Sequence, residues 1–540
     1  ADIVFMKGRS SSICTTPPSQ DSMEFTLLNL LLFLPAVALC HKFLYRSTRR
    51  SLPLPPGPPK KPLIGNLLDL PANQQWLTFA KWSKQYDSDI IHVSALGTSI
   101  VVLSSPEAVK ELFEKRSAVY SSRVQAPMVN ELMGWGGFIG FLPYGARWRS
   151  HRKAFMQAFN PEVVKQFYSQ QRNGVHSLLR RILAQPNDDV IGQFWIFAAG
   201  IIMDIAYGIK IRTSDDQYVS IVAEAVHGLS VASVPGAFLV DIIPPLKYIP
   251  RWVPGAGFKR EAQKWCKATM DAVEMPFSET KRMMSAGTAS ASYSSLHLRT
   301  LEDPSSTLSP NAKIAHEEVV KYTAAAMYVA GVDTVVSALG TFVIAMLLYP
   351  DVQRAAQQEI DEVWGHGNLP DFSEDAEERM PYLGALIKEV LRWRNITAVA
   401  IPHQSEAEDE YKGYRIPKGS VVIGNTWAIL HDEEMYSDPD TFKPERFLLN
   451  GKLNKDIRDP EAFIYGYGRR ICPGRYMASN SLWLTIGSLL SMFDFVKTEG
   501  TQDEGQYGWF WGLISTPLPF KCTMRPRSDQ TVAAIRATEI

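Results

Sequence analysis

The chain has 540 residues, with 56 Lys and Arg against 56 Asp and Glu and 46% apolar side chains. Zero formal charge removes the electrostatic case for nucleic-acid binding, and the ordinary apolar content allows a large buried core. The five cysteines, at positions 14, 40, 266, 472 and 522, contain no CxxC pair, which excludes a disulfide framework and a zinc site and fits a reducing compartment. Residues 1–22 are polar and irregular, and Met23 stands just before an apolar run, so 1–22 reads as a leader or upstream sequence. Phe25–Tyr45 would reach about 31 Å as a helix, close to the ~30 Å hydrocarbon core of a bilayer. Arg46, Arg49 and Arg50 follow at once. Residues 23–45 are therefore expected to be a single-pass transmembrane anchor with the rest of the chain on the cytosolic side. A cleaved signal peptide is the rival reading, but no small-x-small cleavage site follows the run. Residues 46–62, basic and then proline-rich (SLPLPPGPPKKP from 51), predict a stiff hinge.

Residues 63–528 are expected to form one large catalytic domain and 529–540 a flexible tail. Ile90–Val93 and Ile100–Leu103 flank Gly97-Thr98 and predict a hairpin, and Pro106–Phe113 predicts a short helix. Residues 162–282 carry a mostly helical pattern broken at Pro186, Pro235, Pro244-Pro245 and Pro254, and Ser285–Pro310 is rich in Ser and Thr and predicts a surface loop. His316–Tyr349 predicts one long apolar helix of roughly 50 Å. Asp333 and Thr334 at its middle argue against a second membrane span, because a carboxylate in mid-bilayer is expensive.

The stretch that organises the chain is Tyr465-Gly466-Tyr467-Gly468-Arg469-Arg470-Ile471-Cys472-Pro473-Gly474. Its glycines permit positive φ or close backbone approach. Its arginines lower the cost of a thiolate. A helical pattern follows Gly474, so Cys472 lies at a loop-to-helix junction, where amide N–H groups favour negative charge. Four residues separate Trp148 from Arg152, which puts both on one helix face, where a plain cation–π pair is also possible. Glu389 and Arg392 stand three apart and can pair. His316-Glu317 opens like HExxH, but Val320 breaks that zinc motif, and no Walker loop or GxGxxG fingerprint is present. The chain carries no flavin or NADPH module of its own.

Together these motifs resemble the cytochrome P-450 family. Tyr465, Gly468, Arg470, Cys472 and Gly474 match its haem-binding signature, with Tyr465 where most members have Phe. Ala330-Gly331-Val332-Asp333-Thr334 matches AGxDT, Glu389 and Arg392 match ExxR, and Pro444-Glu445-Arg446-Phe447 matches the later PERF segment. The hinge, the Pro402-His403 to Asp409 run and Pro519–Cys522 are similar to microsomal fungal members, especially basidiomycete monooxygenases of the O-methylsterigmatocystin oxidoreductase-like type.

The resemblance implies the P-450 fold, mainly α with small β-sheets (α+β), as one catalytic domain behind an endoplasmic reticulum membrane anchor. It implies haem b with Cys472 as the axial iron ligand, O2 as co-substrate, and NADPH electrons delivered by NADPH–cytochrome P-450 reductase, with cytochrome b5 as a further partner. Arg470, Trp148, Arg152, Arg123 and His403 would contact the cofactor, His403 being equally readable as a buried core histidine. Gly331 would leave room over the flat ring, and Tyr465, with its added hydroxyl near the sulfur, would tune it. Thr334 and Asp333 would direct protons, while Glu389, Arg392 and Arg446 would form a supporting network. The expected apolar pocket is lined by Met128, Met133, Trp135 and Phe138, then by Ala326 and Ala330, and by Val399 and Trp511, each of which is also readable as ordinary core. Arg147, Arg149, Lys153, Arg469 and Arg475 would form a basic docking face. The implied activity is insertion of one oxygen atom into a neutral hydrophobic molecule, aromatic, polyketide or terpenoid. A haem-thiolate isomerase or dehydratase and a non-catalytic haem sensor are the alternatives, and the intact AGxDT speaks against both.

Overall fold

The computed structural model describes residues 52–539 apart from 72, 187–188, 212–215, 234–235, 304, 306, 374 and 499–506. The expected leader, the anchor, the basic start of the hinge and the Pro235 break lie outside the described residues. The chain divides into two compact units, one formed by residues 1–53 and 410–415, the other by Leu54–Asp409 and Ile416–Ile540. The elements described below belong to the second.

This unit is mainly helical with small sheets, as the sequence predicted. The proline-rich stretch from Leu54 onward is not a free spacer. His92 donates its N–H to the Pro56 carbonyl (2.8 Å), and the Asn66 amide donates to the carbonyls of Pro58 and Pro59 (both 3.1 Å), which fastens the stretch to the domain. Helix α1 (Gln75–Gln85) leads into the expected hairpin, β1 (Ile90–Ala95) and β2 (Thr98–Leu103). A helical turn, Pro106–Val109, capped by Ser105, widens into a π-helical turn, Lys110–Lys115. Strands β3 (Ser122–Arg123), β4 (His403–Gln404) and β5 (Val421–Gly424) complete a five-stranded sheet in the order β1-β2-β5-β4-β3. Only the β2–β5 pairing is parallel, and the β3–β4 register sets Arg123 directly opposite His403.

The helical part is built on α2 (Ala146–Phe159), α3 (Tyr168–Ala184), α4 (Val190–Tyr207), α5 (Gln217–Ala232), α6 (Phe258–Ser285), α7 (Tyr293–Glu302) and the long α8 (Pro310–Leu348). Helix α8 has 39 residues, about 58 Å, and begins six residues earlier than the apolar pattern suggests, because Ser309 caps it and Pro310 occupies its first position. Helices α4 and α8 are apolar and long enough to cross a membrane, but both are largely buried within the domain, so their all-round apolarity is that of core helices. Ser285–Pro310 is not simply a loop. It contains α7, started by a capping box between Ser292 and Ser295, both buried.

Helices α9 (Pro350–Trp364), α10 (Pro381–Trp393) and α11 (Arg475–Met492) follow, with β6 (Phe493–Val496) pairing antiparallel to β7 (Thr523–Pro526). The expected flexible tail is instead helix α12 (Asp529–Arg536), begun by a second capping box, Ser528 with Thr531. It is anchored by fully buried Ile535 and by Arg180, which donates to the Thr538 carbonyl (2.7 Å). Polar composition over so short a stretch cannot reveal one buried anchor and a cap.

Candidate functional site

The Cys472 loop is held from within and from outside. The Cys472 N–H donates to the Tyr465 carbonyl (2.7 Å) and the Arg470 N–H to that of Tyr467 (3.1 Å), closing the loop over one 3₁₀ turn, Gly468–Arg470. Gly468 has φ 54°, and a Cβ there would overlap the carbonyl oxygen of Phe113. Both conditions restrict this position to glycine. Tyr467 is fully buried, stacks on Phe113 (centroids 5.4 Å apart) and shares a hydrogen bond with Thr426 (2.9 Å). The N–H groups of Gly474 and Arg475, at the start of α11, are directed at the Cys472 sulfur. Burial pushes the thiol up, while those two N–H groups and the Arg152 and Arg475 cations oppose the shift.

Cations gather around this loop, and among the described residues none of Arg123, Arg152 and Arg470 is ion-paired to a carboxylate. Arg470 is buried and donates to the carbonyls of Ser121 (2.6 Å), Ile139 (3.1 Å) and Leu142 (2.7 Å), with its guanidinium 4.7 Å from the Trp148 ring centre. Arg123 is buried and donates to the carbonyls of Gly140 (3.1 Å), Ile401 and Pro402 (3.2 Å). Arg152 donates to the Ile471 carbonyl (2.5 Å). Trp148 and Arg152 therefore do not pair with each other. Each reaches the Cys472 loop, and the cation over Trp148 is Arg470.

His403 is buried, shares a hydrogen bond with the Tyr120 carbonyl (2.5 Å) and lies 4.2 Å from the Phe113 ring centre. Burial, followed by the nearby Arg123 charge, holds it well below the usual histidine range, so it is a neutral, bonded core histidine. Burial lowers Arg123 well below the ordinary arginine range and Arg470 to about 10, with the Arg470 charge adding to the first shift and Arg152 to the second. Among the described residues no carboxylate lies within ion-pair distance of Arg123, Arg152 or Arg470. Concentrating buried positive charge in this way is costly unless an anion completes it.

Helix α8 is buried along most of its length, yet Ala330 is exposed in its middle and Gly331, Asp333 and Thr334 keep accessible surface. An opening of this kind inside a core helix is a hollow. A Cβ at Gly331 would lie 3.1 Å from Ile202 of α4, so this glycine lets two helices approach while keeping accessible surface beside exposed Ala330. The Thr334 hydroxyl donates to the Ala330 carbonyl (2.8 Å). Burial raises the Asp333 carboxyl to about 7.

Other expectations need correction. Met128, Met133 and Trp135 are at most 1% exposed and Phe138 only 3%, and all four belong to the main core, so they present almost no surface to a hollow. Ala326 is likewise buried, whereas Val399 and Trp511 are partly exposed beside Trp76 and Trp427. The Tyr465 hydroxyl shares a hydrogen bond with Ser479 on α11 (3.1 Å) and stays within electrostatic reach of Cys472. The roles of Phe113, Tyr467 and Ile202 were missed. Only the aromatic at 467, inside the glycine loop, carried a signal.

Glu389 and Arg392, on α10, are both fully buried. Arg392 donates to Glu389 through Nε (2.7 Å) and Nη2 (2.8 Å), and Arg446 Nε (3.2 Å) and the Lys443 N–H (2.8 Å) complete four donors on one carboxylate. Arg392 also reaches the carbonyls of Leu430 (3.1 Å) and Pro439 (2.8 Å), so the network ties α10 to the segment ahead of the Cys472 loop.

The family model described as cytochrome P450 matches residues 55–524. The chain is 44% identical to cytochrome P450 monooxygenase 98 of Postia placenta over 518 residues, 95% of this chain and 98% of that protein. It is 42% identical to a cytochrome P450 monooxygenase of Rhodocybe pseudopiperita over 90% of this chain and 91% of that one. It is also 39% identical to tryptamine 4-monooxygenase of Psilocybe cyanescens over 91% of this chain and 96% of that one. A glycine-bound cysteine loop at a helix start, a hollow at the middle of the longest helix and full-length likeness to fungal monooxygenases agree: the chain belongs to the cytochrome P450 family of oxidoreductases.

Proposed function

We propose that this enzyme is a haem-thiolate monooxygenase that inserts one oxygen atom from O2 into a neutral hydrophobic small molecule. The observation that carries this reading is the Cys472 sulfur, faced by two amide N–H groups at a helix start and surrounded by cations that lack carboxylate ion-pair partners among the described residues. The residues present fit haem b. Cys472 would hold the iron, Arg470, Arg152 and Arg123 would meet the propionates, and Ala330 would face the ring. When bound, the haem supplies the activation of oxygen, and the protein positions, excludes water and manages protons. Trp148 supports this cation group from beneath Arg470, and His403 does so through the β3–β4 pair.

Thr334 spends its hydroxyl proton on the Ala330 carbonyl, which leaves its oxygen lone pairs free to accept a hydrogen bond in the hollow. Asp333, with its carboxyl near 7, can both bind and release a proton at neutral pH, which suits a proton carrier. Partly exposed Val399 and Trp511, together with Ala330, mark the substrate side. The ring centres of Trp427 and Trp511 lie 6.4 and 5.1 Å from that of Trp76, and this aromatic group favours an aromatic or terpenoid substrate. The relative named tryptamine 4-monooxygenase supports the aromatic class.

Electrons would come from NADPH through NADPH–cytochrome P450 reductase, with cytochrome b5 as a second donor. Exposed Arg149, Lys153 and Arg469 would contribute to docking, whereas Arg147 is engaged with Glu318 (3.0 Å). The apolar run at 25–45 would place the enzyme on the endoplasmic reticulum membrane. The test is turnover of an aromatic and terpenoid panel with added reductase, read by mass spectrometry. A product heavier by one oxygen, formed only with NADPH, is expected. Conversion without NADPH, or no product alongside a normal thiolate-type carbonyl spectrum, would overturn it.

A further inference from the structure

We propose that His297 of α7 and His316 of α8 form a two-imidazole site for a divalent cation of the zinc type, which clips the short helix to the long one. The inference does not depend on the haem chemistry proposed above. His316 precedes Ala330 by fourteen residues, about 21 Å along α8, so the site is separate from the hollow.

The local sequence explains why the two rings meet. The capping box of Ser292 and Ser295 fixes the start of α7, and Tyr293, Leu298 and Leu301 are buried on its inner face. His297 follows Tyr293 by four residues and so lies one turn on, with the two ring centres 4.5 Å apart. Tyr293 thereby limits where the imidazole can turn. The ring centre of His316, on the neighbouring helix, is 6.0 Å from that of His297, with the planes inclined by 39°. Both histidines are half-buried, so each is backed by protein and keeps an edge that a solute can reach.

The bonding of these rings sets them apart. His92, His151, His366, His403 and His431 each make a hydrogen bond through a ring nitrogen. Among the described residues neither His297 nor His316 makes one. Burial, followed by the facing His316, holds His297 below the usual histidine range, which keeps a nitrogen lone pair available. At a metal–nitrogen bond of about 2.0–2.1 Å each ring centre lies roughly 3.2 Å from the ion, and two rings at the tetrahedral angle have centres about 5.2 Å apart. The observed 6.0 Å is within about 1 Å of that, a closure that small rotations of two half-exposed side chains supply. The adjacent carboxylate, Glu317, is held by Lys281 (2.9 Å). Among the described residues no third His, Cys, Asp or Glu joins the pair, so water completes the coordination. Two imidazole nitrogens favour Zn2+ over Mg2+ or Ca2+, which take oxygen ligands. An ion that binds only when both helices are docked stabilises that docking.

The test uses the full-length, untagged holoenzyme after chelator treatment, with Zn2+ as the probe. Isothermal titration calorimetry should show one saturable site that Mg2+ does not fill. Zn2+ should also slow amide exchange in peptides covering residues 293–302 and 310–320. His297→Asn and His316→Asn should each weaken binding by at least about tenfold. The double variant should weaken it no further, because the two ligands serve one ion. His316→Cys, which puts another zinc ligand at the same place, should restore binding. The reduced carbonyl spectrum verifies that each variant is folded. Zn2+ affinity unchanged in either single variant would overturn the proposal. Exchange protection that spares both α7 and the start of α8 would also overturn it.

Discussion

Replacing Glu389 by Leu tests the network that ties α10 to the segment ahead of the Cys472 loop. The substitution keeps volume but leaves Arg392, fully buried, and Arg446, with a side chain 4% exposed, without their common anion. Four hydrogen bonds on the carboxylate are lost at once. Removing one partner of a buried pair typically costs about 3–5 kcal/mol, mostly because the remaining charge is stranded. At ~2.1 cal/mol/K per residue, the roughly 470 residues from 55 to 524 unfold with an entropy near 1 kcal/mol/K, so the midpoint should fall by about 3–5 °C.

Differential scanning calorimetry at several scan rates measures the shift, and the reduced carbonyl spectrum reports the loop. The double variant Glu389→Leu with Arg392→Met should recover more than half of the loss, because removing both charges removes the stranding. An unchanged midpoint and spectrum in Glu389→Leu, or a double variant worse than the single one, would refute the reasoning.

Asp333 predicts a pH effect of definite sign. Its carboxyl is raised from 3.8 to about 7, so between those values the folded protein holds a proton that the unfolded chain releases, and this contribution to stability declines as pH rises through that window. At ~1.4 kcal/mol per unit, Asp333→Asn should flatten the decline in the urea midpoint between pH 5 and pH 7.5, and an identical decline in both proteins would contradict it. Gly331→Val should destabilise by about 1–3 kcal/mol through collision with Ile202 3.1 Å away, and Ile202→Ala should relieve it in a double-mutant cycle; simple additivity would argue against that contact. Arg470→Leu should speed haem transfer to an apoprotein acceptor at least tenfold, by loss of a charged interaction of about 1.5–3 kcal/mol, and an unchanged rate would remove Arg470 from the cofactor's partners.

The residues proposed to carry the chemistry were readable in the chain because each motif is specified locally. The Cys472 loop needs its glycines within a few positions, ExxR needs one helical turn, and the helix Thr334 needs only its neighbours in AGVDT. The β1–β2 hairpin was legible for the same reason, as its turn and alternating apolar residues lie side by side in sequence. What tertiary structure alone decided are the relations between distant segments. Gly331 packs against Ile202, 129 positions away, and Gly468 is forced by a carbonyl at Phe113. Met128, Met133 and Trp135 are core because other helices cover them, and apolar residues read alike whether they face a neighbour or a hollow. The Pro-rich stretch docks and the tail becomes helix α12 because partners far along the chain, His92 and Arg180, offer groups that no local pattern announces.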